Sequence, residues 1–172
     1  MFVCIPEKSF RSSMASRAVP IKDFRYAAGL LAGIVGGIHL LHPDLGLPRL
    51  ITHLQVGTFF DPRPIVFTLT ALLIAVGILL FRSGFNPRVI YAAGIVLMVT
   101  FLGGYVAWHT VLNHGAFWPH IPATPHNDLG YLESVYLHLI GDPVALVSKF
   151  HELALLGVLL VLFKVDTDPQ KQ

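Results

Sequence analysis

Apolar residues run almost unbroken through four stretches of this chain, Tyr26–Leu41, Ile65–Phe81, Val89–Leu112 and Val144–Phe163. Each is close to the roughly 20 residues that an α-helix needs to cross about 30 Å of hydrocarbon. Polar punctuation marks the starts of three of them. Asp61-Pro62, Asn86-Pro87 and Asp142-Pro143 each put an Asx side chain at an N-cap and a proline at the first helical position, where its missing N–H forfeits no hydrogen bond. Gly84, just past Phe81 and Arg82, ends the second helix. The predicted spans are 26–42, 65–82, 88–112 and 144–164, between polar tails at 1–25 and 165–172. A signal-peptide reading of the first stretch is weaker, because the polar segment before it is unusually long for a leader and no small-residue cleavage site follows His39.

Two of the connections carry a pattern of their own. Leu47, Leu50, Ile51 and Leu54 recur at helical spacing around Pro48, and Leu129, Leu132, Val135, Tyr136, Leu139 and Ile140 do so between Asn127-Asp128 and Gly141. Both predict short amphipathic helices lying at the bilayer surface. Trp108, Phe117 and Trp118 gather where the third span leaves the membrane, as an interfacial aromatic belt does. Gly29, Gly33 and Gly37, with Ala71, Ala75, Gly103 and Ala107, offer small-residue faces for close helix packing within the bundle or against a partner. The fold class expected is therefore all-α: one integral membrane bundle of four transmembrane helices with two short interfacial helices, multi-pass in the cell membrane.

Composition agrees and removes other classes. The chain is 54% hydrophobic and 13% charged, well outside the soluble range, and needs the lipid bilayer around it. A net charge of +2 with no cluster of basic and aromatic residues sets nucleic acid aside as a partner. The single cysteine, Cys4, excludes an intrachain disulfide and a cysteine-based metal site, so histidine and carboxylate remain as strong metal ligands. Lysine and arginine divide unevenly: Lys8, Arg11, Arg17, Lys22, Arg25, Arg82, Arg88, Lys164 and Lys171 fall on one side, and only Arg49, Arg63 and Lys149 on the other. Because basic flanks stay inside, both termini are expected to be cytoplasmic.

Against that topology all nine histidines fall in the outer half. Those inside or at the mouths of helices are the informative ones, since a polar side chain in a span tends to face the bundle interior. His39 and His42 are three apart and share a face; His109 ends the third span; His151 sits between Lys149 and Glu152 on the fourth. If these helices meet at their outer ends they form an outward-facing histidine-rich pocket. Imidazole suits copper, zinc and iron, and two facing histidines can clasp a haem. The expected metal ligands are His39, His42, His109, His151 and Glu152 with His114 in reserve, and His39 and His109 are the pair for a bound cofactor such as haem.

Two other readings stay open. An intramembrane zinc hydrolase would use His109, His114, His151 and Glu152, but Leu155 stands where the second histidine of HExxH belongs, and no GxSxG, Walker loop or dinucleotide fingerprint occurs. No catalytic residue is assigned on this reading of the chain. A non-catalytic membrane subunit, scaffold or pH sensor, associated with another membrane protein or with copies of itself, fits the long proline-rich connection with Trp118-Pro119, Pro122 and Pro125. A transporter acting alone is disfavoured, since the span centres carry threonines such as Thr68, Thr70 and Thr100 and no charge.

Through segments such as Gly104-Tyr105-Val106-Ala107-Trp108-His109 and Asp142-Pro143-Val144-Ala145-Leu146-Val147-Ser148-Lys149 the chain resembles small four-helix membrane proteins of prokaryotes, particularly of halophilic archaea. The resemblance implies a four-helix membrane fold. It carries over no catalytic or ligand residue.

Overall fold

The computed structural model describes residues 20–57, 61–112, 114–115 and 130–166. Among them are six helices and no strand: α1 (Ile21–Leu41), α2 (Leu47–Val56), α3 (Arg63–Arg82), α4 (Pro87–His109), α5 (Tyr131–Gly141) and α6 (Pro143–Val165). α1, α3, α4 and α6 are long and apolar enough to cross a membrane, which is the architecture of a multi-pass membrane protein. Cys4, Lys8, Arg11, Arg17, Lys171, His120, His126, Asn127-Asp128 and the aromatic and proline-rich positions 117–125 lie outside the described residues.

The helix starts follow from local chemistry. Asn86 Oδ1 accepts from Arg88 N–H at 3.0 Å, and Asp142 Oδ1 accepts from Val144 and Ala145 N–H at 2.9 and 3.1 Å, each satisfying donors that the first helical turn cannot. Asp61 differs in detail from the expected cap. Helix α3 begins at Arg63, with Pro64 in its first turn, and Asp61 accepts from both the Arg63 N–H (3.0 Å) and its guanidinium (2.6 Å). Gly84 at φ +84 ends α3, where Phe85 N–H reaches back to Leu80 O at 3.0 Å. Helix α1 starts at Ile21, before its apolar stretch, because Lys22, Asp23 and Arg25 are compatible with a helix although not with lipid.

α6 packs on both α1 and α4, and α1 also packs on α3, whereas α3 and α4 touch sparingly. The result is an antiparallel four-helix arrangement in the order α3, α1, α6, α4, with its α4–α3 side the loosest. On α6 the buried positions Ser148, Glu152, Leu155, Leu159 and Leu162 step by four, three, four and three residues, which is the heptad seam of a packed bundle. The seam is apolar in the middle, against Val35, Ile74 and Met98, and polar at both ends. At the end nearest the termini Asp166 accepts from Arg25 (2.6 and 2.9 Å) and from Tyr91 Oη (2.6 Å); at the other lie Glu152 and His39.

Close backbone approach occurs at positions other than the small-residue stripe. A Cβ added at Gly36 would meet Ile74 of α3 at 3.3 Å, while Gly29, Gly33, Gly37 and Gly103 have open space there. The two short helices lie against the bundle, α2 on α3 and α5 on α4 and α6. α2 buries His53 while exposing Ile51, Leu54 and Val56, and α5 buries Ser134 while exposing Leu132 and Tyr136, so each turns a polar residue to protein and leaves several apolar ones on its outer surface.

Candidate metal centre

Two polar groups sit at the end of the bundle away from the termini, and Tyr105 of α4 stands between them.

The first is built on the end of α4, which places His109 in its last turn. The chain then reverses tightly: Leu112 N–H donates to Ala107 O and His114 N–H to Trp108 O, both at 2.9 Å. His114 takes φ 58 and Gly115 φ 93. A left-handed conformation costs a non-glycine residue on the order of 1 kcal/mol, and here it returns the His114 ring to His109. His109 Nδ1 lies 2.9 Å from His114 Nε2. α5 supplies His138, whose ring centroid is 4.4 Å from that of His109 and 4.8 Å from that of His114. One ligand-capable atom from each of the three rings lies within 4.8 Å of the other two, a triad that could hold a metal ion.

Hydrogen-bond chemistry fixes part of the protonation pattern. A backbone carbonyl can only accept, so His138 Nδ1, 2.7 Å from Ser134 O, carries the proton, and the neutral ring keeps its lone pair on Nε2. Ser134 Oγ in turn donates to His109 O at 2.9 Å and ties α5 to the last turn of α4. Imidazole ligands of metals are commonly held in this way by a carbonyl on the second ring nitrogen. All three rings are half-buried, so the site opens to the surroundings.

The second group is built on α1 and α6. Glu152 is fully buried and accepts from Ser148 Oγ at 2.8 Å and from Lys149 Nζ through both oxygens at 2.7 Å. His39 is 1% exposed, stacks on Phe101 with Phe67 tilted against it, donates from Nδ1 to Val35 O at 2.9 Å, and points Nε2 at Glu152 Oε1, 3.6 Å away. Lys149 Nζ also sits 5.2 Å from the Tyr105 ring centroid, and that ring packs against His109 at 4.4 Å. The ammonium, two aromatic faces and the carboxylate make a compensated buried charge pair.

The structure thus distributes the expected ligands. It brings His39 to Glu152, and it brings His109 to His114. His42 is engaged locally: its Nδ1 accepts from Asp44 and Leu45 N–H at 3.2 Å each, capping the turn after α1. Burial lowers the His42 pKa from the ordinary histidine value, against the pull of Asp142 and Asp44, which suits that accepting role. His151 donates to Val147 O at 2.7 Å and packs edge-on against Phe150. His138 is the member that the apolar pattern did not single out. A signal was present, since Ser134 and His138 are four apart and share one face of a helix whose other non-aromatic polar side chain, Glu133, is exposed.

Comparison of the chain with family models, with curated proteins and with solved structures finds no match.

Proposed function

We propose that this protein is a multi-pass membrane protein that binds a transition-metal ion, zinc or copper, through His109, His114 and His138. The observation that carries the reading is the convergence of three imidazoles from α4, the turn after it and α5 within 4.8 Å. A tetrahedral zinc with bonds of about 2.0–2.1 Å needs ligand nitrogens about 3.3 Å apart, so small movements of these rings suffice. The 2.9 Å contact between His109 and His114 is a shared N–H···N bond; on metal binding the donor ring takes its proton on its other nitrogen instead, by exchange with water, and both lone pairs turn to the ion. No fourth histidine, cysteine or carboxylate joins the group among the described residues, which leaves a coordination position for water or an exchanging ligand.

Imidazole ligands without thiolate or carboxylate suit zinc and copper(II). Haem has less support, because His39 is packed against Phe67 and Phe101 and its Nε2 is directed to Glu152. The excess of lysine and arginine at the terminal end of the bundle supports cytoplasmic termini, which puts the triad on the outer face.

The test is elemental analysis, followed by zinc and copper titration, of protein purified in mild detergent without a histidine tag. One ion per chain, lost in His138→Ala and retained in His151→Ala, is the expected result. A protein that takes up neither ion, or one whose uptake is the same in His138→Ala, overturns the reading.

A further inference from the structure

At the opposite end of the bundle the loose side between α3 and α4 opens into a cleft of about 370 Å³. That volume lies within the range of about 300–1,000 Å³ typical of small-molecule sites. Its lining runs from the exposed Phe85 and Val89 past Gly29 and Gly77 to the buried Met98 and Leu159. Three features identify what it takes.

Depth is the first. The lining on α4 runs from Val89 to Met98, which at 1.5 Å per residue is about 13 Å. Half of the hydrocarbon thickness is about 15 Å, so the cleft has the depth of one leaflet.

Width is the second. About 370 Å³ spread over that depth makes a slender cleft with room for a polymethylene chain.

Polarity is the third. Arg25 and Tyr91, both at the terminal end, are the only polar residues in the lining among the described residues, so water entering deeper would find few partners. Around that end, among the described residues, Lys22, Arg25, Arg82, Arg88 and Lys164 outnumber Asp23 and Asp166, and Asp166 is already taken up by Arg25 and Tyr91.

We propose that the cleft binds one acyl chain of an anionic phospholipid drawn from the leaflet on the side of the termini, with the lipid phosphate attracted by Arg82 and Arg88, which flank the α3–α4 turn that carries Phe85. The acyl chain supplies the apolar contacts that the lining lacks, and the two arginines select the charge of the headgroup. The proposal rests on the four membrane-spanning helices and not on the metal site.

Native mass spectrometry and thermal unfolding in mild detergent test it, with dioleoylphosphatidylglycerol, dioleoylphosphatidylcholine and glycerol 3-phosphate as probes. One phosphatidylglycerol per chain is expected to be retained and to raise Tm, with phosphatidylcholine needing at least a tenfold higher concentration and glycerol 3-phosphate having no effect. Gly77→Leu fills the wall, where a Cβ meets nothing within 4 Å, and is expected to keep the helical circular-dichroism signal while lowering lipid retention at least tenfold. Gly29→Val, in the α1 lining with the same open space, serves if Gly77→Leu fails to fold. Arg82→Gln with Arg88→Gln should remove the preference between the two lipids.

Equal retention of both lipids by the unaltered protein overturns the proposal. So does unchanged phosphatidylglycerol binding in a folded cleft-filling variant, full competition by glycerol 3-phosphate, or cross-linking that finds a second copy of the chain across the α3–α4 opening.

Discussion

The hydroxyl of Ser134 donates to the carbonyl oxygen of His109 at 2.9 Å, so the helix that brings His138 is anchored to the turn that ends in His109. With the Ser134 carbonyl also orienting the His138 ring, this one residue positions two of the three imidazoles. Ser134→Ala retains the carbonyl and removes the tether. Metal affinity should fall about tenfold with stoichiometry unchanged, at the lower end of the 10–100-fold typical of outer partners of metal ligands. A competition titration against a chelator of known affinity measures it, and an affinity equal to the unaltered protein's would show that α5 is held without this bond.

His42 and His151 have local hydrogen bonds and no place in the triad. His42→Ala and His151→Ala are each expected to leave ion stoichiometry at the wild-type value, whereas His109→Ala removes binding. The same elemental analysis reads all three, and loss of the ion in His151→Ala would require a site that includes α6.

Glu152 is buried against Lys149, and removing one member leaves the other charged in a low-dielectric interior. Glu152→Gln should destabilise the bundle by about 3–5 kcal/mol, the usual cost of breaking a buried pair. Lys149→Met combined with Glu152→Gln should be less destabilised than Glu152→Gln alone, because no charge is then stranded. Reversible unfolding in mixed detergent gives the cycle, and additive effects would show that the two groups are not coupled.

At the terminal end, burial by itself would raise the Asp166 pKa, but hydrogen bonds from Arg25 and Tyr91 outweigh it and hold the carboxyl below its ordinary value. A carboxylate with a lowered folded-state pKa contributes stability that is fully present above its unfolded pKa, about 3.9, and is lost as pH falls through the folded value. Asp166→Asn should therefore lower Tm at neutral pH, and the gap to the unaltered protein should close as pH is brought below about 4. A gap that stays constant from pH 7 to pH 3 would refute the assignment. Arg25 is 43% exposed at its side chain, so the gap is expected to shrink at high salt as well.

Much of the fold was legible in the sequence, because each signal was local. The length of an apolar run sets whether a helix can cross lipid, and Asn86, Asp142 and Gly84 cap helices through bonds to residues at most five positions away. The two short helices followed from the same periodicity. The helix limits shifted where tertiary or turn geometry intervened, as at His109, where the chain turns back three residues before its apolar run ends at Leu112.

The site was legible only as a region. The sequence by itself determined that the chain has four helices long and apolar enough to cross a membrane, and where along it the imidazoles and the buried-pair residues occur. Periodicity tells which side of its own helix a residue occupies, and not which residue of another helix it meets. Only the packing of α1, α4, α5 and α6 decided that His39 pairs with Glu152 and that His109 and His114 are joined by His138 of α5. Such meetings depend on helix rotation and adjacency, which all the contacts of the bundle set together.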